Sequence, residues 1–174
     1  MSARHPLPRR WLMTDERLGD RLLPAIARLP DGAGIVFRHY SLPPGARRAL
    51  FDAVASARVG RNIMLLLAGE ASDARAWGAD GSHGRGPGEG LRSASAHNLA
   101  EIEAAEAAGA ALIFVSPVFP TRSHPDAITL GADGFAQLAR RTRLAAIALG
   151  GMDEARFATL ERAYGWAGID AWAG

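Results

Sequence analysis

A chain of 174 residues with 48% hydrophobic and 22% charged side chains has the size and balance of one soluble globular domain with a sizeable core. It holds no cysteine and no lysine, all 20 basic side chains being arginine, which excludes disulfides, thiolate metal sites, a cysteine nucleophile, Schiff-base chemistry and a P-loop lysine. The net charge of +2 is scattered in pairs at Arg9-Arg10, Arg47-Arg48 and Arg140-Arg141, so no nucleic-acid partner is expected.

In chain order, residues 1–10 form a basic tail that leads into no apolar stretch of signal-peptide length. With no run long enough to span a membrane, the expectation is a cytoplasmic protein. Short, continuous apolar runs then recur at 11–13, 34–37, 63–67, 111–115 and 145–149, with weaker ones at 81–83, 93–97 and 165–169. Runs of this kind are expected of parallel strands buried on both faces. Amphipathic, alanine-rich segments lie between them at about 20–29, 44–59, 98–109, 133–142 and 153–164. A Gly-Ala or Gly-Trp pair precedes a strand at 32–33, 78–79, 109–110 and 165–166, the mark of a repeating unit.

Eight such strands predict a compact (β/α)8 TIM barrel over residues 11–174. Such barrels rarely fall below about 200 residues, so one or two helices must be missing. The stretch after the fourth strand, Arg85 to Arg92, is too short for a helix, and only Ala171 to Gly174 follow the eighth. An open α/β sheet of six or seven strands is the alternative. Missing helices would bare apolar strand surface, which makes a homo-oligomer possible.

Ligands of parallel α/β folds bind at the carboxyl ends of the strands. Those ends carry Thr14, Asp15, Arg38, His39, Tyr40, His83, Arg85, Ser95, His97, Asn98, Ser116, Thr121, Arg122, Ser123, His124, Gly150, Gly151 and Asp170. Gly150-Gly151 before a helix start is suited to holding a phosphate on bare backbone N–H groups. Arg38 can pair with a phosphate, and the two prolines of 116–121 stiffen that loop. A hard cation would need carboxylates, and neither Ala68-Gly69 nor Gly84 to Gly88 supplies one; no metal or other cofactor is expected.

The loop Ser116-Pro117-Val118-Phe119-Pro120-Thr121 and the turn Ala148-Leu149-Gly150-Gly151-Met152 resemble the thiamine-phosphate synthase/TenI family, which has G-P-V-F-P-T and A-I-G-G-I there. Gly34 to Arg38, Ala79-Asp80-Gly81-Ser82-His83, Ser95-Ala96-His97 and Ala105 to Ala110 match in the same register, from about residue 11 to 172. The resemblance implies a (β/α)8 barrel of thiamine biosynthesis with a small phosphorylated heteroaromatic ligand. The family's synthases join a pyrimidine diphosphate to a thiazole phosphate with Mg2+. Its TenI members tautomerise a thiazole phosphate without metal, using the S-x-H histidine. Carried over by position, Arg38 and Ser95 line the pyrimidine side, Thr121, Gly150 and Gly151 hold the thiazole phosphate, and His97 is the catalytic acid/base.

The departures are specific. Val36, Arg38 and Tyr40 stand where synthases carry Gln, Arg and Lys, and Ala68-Gly69 where they carry Asn-Asp. The second metal carboxylate has no counterpart near Gly88; His124 replaces a diphosphate lysine as a substrate-binding residue, and Asp170 replaces a serine. Three readings stay open: a synthase with a replaced metal site, a metal-free tautomerase using His97, and a non-catalytic ligand-binding or regulatory barrel.

Overall fold

The computed structural model describes residues 6–123 and 125–174. Eight parallel strands, β1 (Arg10–Met13), β2 (Gly34–Phe37), β3 (Met64–Ala68), β4 (Gly81–His83), β5 (Leu91–Ala96), β6 (Leu112–Val115), β7 (Ala145–Leu149) and β8 (Gly165–Gly168), close into a barrel in sequential order. Closure is made by β1 against β8, with Trp11 opposite Ala167. The chain is a compact (β/α)8 barrel, and the open-sheet alternative is excluded.

Its helices are α1 (Leu22–Arg28), α2 (Pro44–Ala57), α3 (Ala71–Trp77), α4 (Leu99–Ala107), α5 (Gly131–Ala139), α6 (Glu154–Phe157) and α7 (Asp170–Ala173). No helix separates β4 from β5, as the short Gly-rich stretch requires. The last helix, expected to be absent, survives as one turn whose Trp172 stacks on Trp166 with centroids 5.1 Å apart. Two helical expectations need correction. The segment 153–164 is helical only over α6, because Ala158 to Tyr164 turns back to reach β8. Residues 71–77 form α3, ended by Gly78 at φ 77°; the segment is too polar for its apolar side to stand out in sequence.

Two layers of apolar packing hold the barrel. Outward-facing Ile35, Phe37, Leu65, Ile113 and Val115 pack under the helices, while Trp11, Val36, Leu66, Leu112, Phe114 and Ile147 fill the interior. A large Trp11 fits there only because Gly34 beside it has no side chain; a Cβ at Gly34 would overlap the indole. At the helix-free gap Arg92 is 4% exposed and donates to the Gly88 carbonyl at 3.0 Å, so the loop lies against β5. Among the described residues the exposed large hydrophobics are Leu23, Tyr40, Val59 and Ile128, none of them on β4, β5 or β8. The bare apolar strand surface expected there is absent.

Candidate functional site

The carboxyl ends of the strands enclose a cavity of about 630 Å³. Its wall includes Arg38, Ser95, His97, Thr121, Gly150 and Gly151, together with Arg122, Ser123, Arg156 and Asp170. Residues from β2, β5, β6, β7 and β8 thus converge on one space. His124 lies outside the described residues.

On the β1–β2 side, Arg38 is held by its neighbours. Its Nε donates to the Thr14 carbonyl at 2.6 Å and its Nη2 to Asp15 Oδ2 at 2.9 Å. Thr14 Oγ1 in turn accepts from the Arg38 backbone N–H at 2.9 Å, so the strand end and its side chain are fixed together. Burial lowers the Arg38 pKa and Asp15 opposes that effect, so the guanidinium keeps its charge. Burial would raise the Asp15 carboxyl, but the Arg17 backbone N–H and the Arg17 and Arg38 charges outweigh it. Arg17 also donates to Ser123 Oγ at 2.9 Å and comes within 4.0 Å of Asp170. It therefore ties the loop after β1 to the loop after β6 at the rim.

The β5 end presents Ser95 and, one residue beyond the strand, His97. Asn98 caps α4 by accepting from the Glu101 N–H at 3.0 Å. Glu101 reaches back, accepting from the His97 backbone N–H at 2.7 Å and from Nδ1 of the ring at 2.8 Å. This reach past the cap to His97 has a chemical consequence: the carboxylate fixes the tautomer with hydrogen on Nδ1 and leaves the Nε2 lone pair unclaimed by it. The hydrogen bonds from His97 hold the Glu101 carboxyl below its ordinary range, so it is charged near neutral pH. The His97 side chain is 51% exposed, open to a ligand from the cavity.

On the β6–β8 side, the Ser116–Pro117 peptide is cis and the loop after it lies against the turn after β7. Val118 and Phe119 donate to the carbonyls of Leu149 and Gly150 at 2.9 and 3.1 Å. Gly150 and Gly151 sit at φ 98° and 60°. A Cβ on Gly150 would stand 2.8 Å from Pro117 Cα, and one on Gly151 would collide with the Pro120 carbonyl. Only glycine fits, because backbone approaches backbone there. Among the described residues no protein acceptor takes the N–H of Gly150, Gly151 or Met152. The helix that follows is a single turn, so its dipole adds little and these amides supply the polarity. Arg156 donates to the Gly151 carbonyl and stacks on Phe119 at 5.4 Å.

The Mg2+ that the family resemblance implies finds no fitting donors. Ala68 and Gly69 carry no side-chain oxygen, and the Ala68 carbonyl accepts from Arg47 Nη2 at 2.7 Å. Arg47 also donates to the Arg38 carbonyl at 3.0 Å, which puts a guanidinium across the β2 and β3 ends. No cluster of three His, Asp or Glu suited to a metal occurs among the described residues.

Of the strand-end residues read from sequence, Arg38, Ser95, His97, Ser116, Thr121, Arg122, Ser123, Gly150, Gly151 and Asp170 line this cavity, whereas Thr14, Asp15, His39, Tyr40, His83, Arg85 and Asn98 do not. Arg17, Arg156 and Glu101 were not among them. Arg17 follows Thr14-Asp15 at a strand end and Glu101 completes an Asn-x-x-Glu cap, so both left a signal; Arg156 left none beyond its distance from the glycine pair.

The fold and this cavity define a (β/α)8 barrel with an open mouth framed by strand ends. A family described as thiamine monophosphate synthase matches residues 90–173. A putative thiamine-phosphate synthase 2 of Aquifex aeolicus is 36% identical over 77 residues, 43% of this chain and 41% of that protein. A thiamine-phosphate synthase of Chloroflexus aurantiacus is 36% identical over 77 residues, 44% of this chain and 36% of that protein. The match spans about two-fifths of these curated relatives. The thiamine phosphate pyrophosphorylase from Pyrococcus furiosus shares the fold, with a TM-score of 0.76 at 21% identity over 97% of this chain and 88% of that one. The family match takes in β5 to β8 and the helices between them, just under half of the chain. No helix among the described residues is long and apolar enough to cross a membrane.

Proposed function

We propose that the mouth cavity binds a phosphorylated thiazole-type ligand and that His97 moves a proton on it without a divalent cation. The observation that carries this reading is the convergence of Arg38, Ser95, His97, Thr121, Gly150 and Gly151 on one cavity. The phosphate belongs at the Gly150-Gly151 amides and Thr121, and the ring lies toward Arg38 and Ser95. His97 stands between them. Its Nε2 takes a proton from one ring position and returns it to another, a tautomerisation with no net gain or loss of atoms. Glu101 stabilises the imidazolium that forms in between.

Coupling with loss of pyrophosphate is less well supported. Its leaving group needs cations, and the guanidinium at the β3 end, Arg47, is already engaged by the Arg38 and Ala68 carbonyls. A binding-only barrel is the second reading, favoured by the half-exposed position of His97. The deciding experiment is a screen of thiazole phosphates, pyrimidine phosphates and thiamine phosphate, with and without Mg2+, on wild type and His97→Gln. We expect a thiazole phosphate to bind and isomerise equally well without Mg2+. His97→Gln is expected to abolish isomerisation while binding stays within about threefold, since the phosphate amides are untouched. Tight binding with no turnover in wild type selects the binding-only barrel, and strict Mg2+ dependence overturns the metal-free reading.

A further inference from the structure

The direction of the amides in the turn after β7 is set by what holds its carbonyls. The Leu149 and Gly150 carbonyls accept from the Val118 and Phe119 N–H groups, and the Gly151 carbonyl accepts from Arg156 Nη1. A trans peptide sets its N–H antiparallel to its carbonyl. Fixing three successive carbonyls thus fixes the N–H groups of Gly150, Gly151 and Met152 on the opposite sides of their peptides. All three residues line the mouth cavity, and Gly150 and Met152 are buried. A buried N–H without a partner is costly, so these amides favour an acceptor from outside the protein.

Two of the three carbonyls are held by backbone of the loop after β6; the third is held by a side chain. Arg156 also brings a charge. Its guanidinium lies over the Phe119 ring at 5.4 Å, and among the described residues no carboxylate pairs with it. Arg38, across the mouth, is bound to Asp15 at 2.9 Å. Arg122 lines the wall from the loop after β6, and among the described residues no bond ties it to the turn. The same wall carries the carboxylates of Asp153 and Asp170. Asp153 Oδ1 accepts from the Arg156 backbone N–H at 2.8 Å, which occupies one of its oxygens at the start of α6. An anion at the turn therefore meets two negative side chains, and Arg156 is the cation bonded to the turn itself.

We propose that Arg156 is the specificity-determining residue for the anionic end of the ligand, fixing the Met152 N–H through the Gly151 carbonyl and supplying the charge that outweighs Asp153 and Asp170. A guanidinium suits both tasks, because its planar fork can donate to a carbonyl and to an oxyanion at once. A lysine would keep the charge and lose the fork. That the anion is a phosphate rests on the function proposed above; that it needs Arg156 does not.

The test is an NMR titration of the 15N-labelled full chain with inorganic phosphate at low ionic strength. The Gly150, Gly151 and Met152 amide signals are expected to shift in wild type. Arg156→Ala should bind phosphate at least about tenfold more weakly, the effect of one charged hydrogen bond. At saturation its Met152 shift should shrink most, since only that peptide has lost the group holding its carbonyl. Arg156→Lys should recover part of the affinity. Arg75→Ala, which removes an equal charge from an ion pair with Glu89 on α3, should bind within about twofold of wild type. Wild-type affinity in Arg156→Ala, an equal loss in Arg75→Ala, a lysine variant no better than alanine, or an unchanged Met152 shift each overturns the proposal alone. Failure of phosphate to bind wild type overturns the phosphate reading together with it.

Discussion

The two sides of the barrel mouth are built in opposite ways. Around β6 and β7, backbone is packed so tightly against backbone that Gly150 and Gly151 accept no other residue, and both line the cavity. Around β3 and β4 there is no helix between β4 and β5, Ala68-Gly69 carry no carboxylate, and Arg47 donates to the Ala68 carbonyl. A phosphate-sized anion needs only the first side. A metal-bound diphosphate would need the second. The contrast teaches that backbone geometry can build an anion-sized site on one side of a barrel mouth while the other side lacks the side chains that a metal-bound diphosphate requires.

The sharpest way to break this contrast is to disturb the glycine turn. Gly151→Val places a β-branched side chain at φ 60° against the Pro120 carbonyl and Phe119. The expected cost is about 4 kcal/mol of stability, with loss of thiazole-phosphate binding, measured by urea unfolding and calorimetry. The same substitution at Gly86, in the loop after β4, meets nothing closer than the Glu70 carboxylate at 3.5 Å and should be nearly neutral. If the two variants were equally stable, the two sides would not differ as described.

The next effect probes the buried histidine at the end of β4. His83 titrates near 4 in the folded protein against 6.5 when unfolded, with burial as the cause. Between those values the unfolded chain binds more protons, so stability rises with pH across this window. About 3 kcal/mol is present above pH 6.5 and is lost as the pH falls toward 4. Urea midpoints from pH 7 down to pH 4.5 should show this slope in wild type, and His83→Gln should flatten it. A flat wild-type profile would mean that water reaches the histidine and leaves it free to charge.

How much of this was legible in the sequence follows the same division. The closed barrel, its strand positions and the missing helix after β4 could be read because continuous apolar runs and Gly-ended helices are local signals. The glycine turn was legible because a positive φ leaves glycine little competition. Charge pairing was not. Nothing local says that Arg17 crosses from the β1 loop to Ser123, or that Arg47 reaches the Ala68 carbonyl, since both contacts depend on closure of the barrel. The segment 153–164 was misread because its alanines, Phe157 and Leu160 give it a helix-like pattern, while the return path to β8 ends the helix after one turn. His83 stood out as a strand-end residue, but its contacts depend on two serines brought beside it by β4–β5 pairing.

The smallest expected effect concerns Asp170, where a carboxylate occupies the cavity wall near the proposed phosphate position. Its side chain is 49% exposed and its Oδ1 is 4.0 Å from Arg17 Nη1. At this exposure water and salt screen the charge, so its repulsion of a phosphate is worth only about 1 kcal/mol. Asp170→Ser removes that repulsion and releases Arg17, whose Nη2 already bonds Ser123 at the cavity wall, to face the anion. Calorimetry at low ionic strength should show a thiazole phosphate binding about fivefold more tightly to Asp170→Ser than to wild type, with the gain shrinking as salt is added. Weaker binding would place the phosphate away from β8 and leave Asp170 as the residue that holds Arg17 in place. A gain insensitive to salt would assign the effect to space rather than charge. In either case the β8 strand end would move from the anion-binding side of the mouth to the side that has been rebuilt.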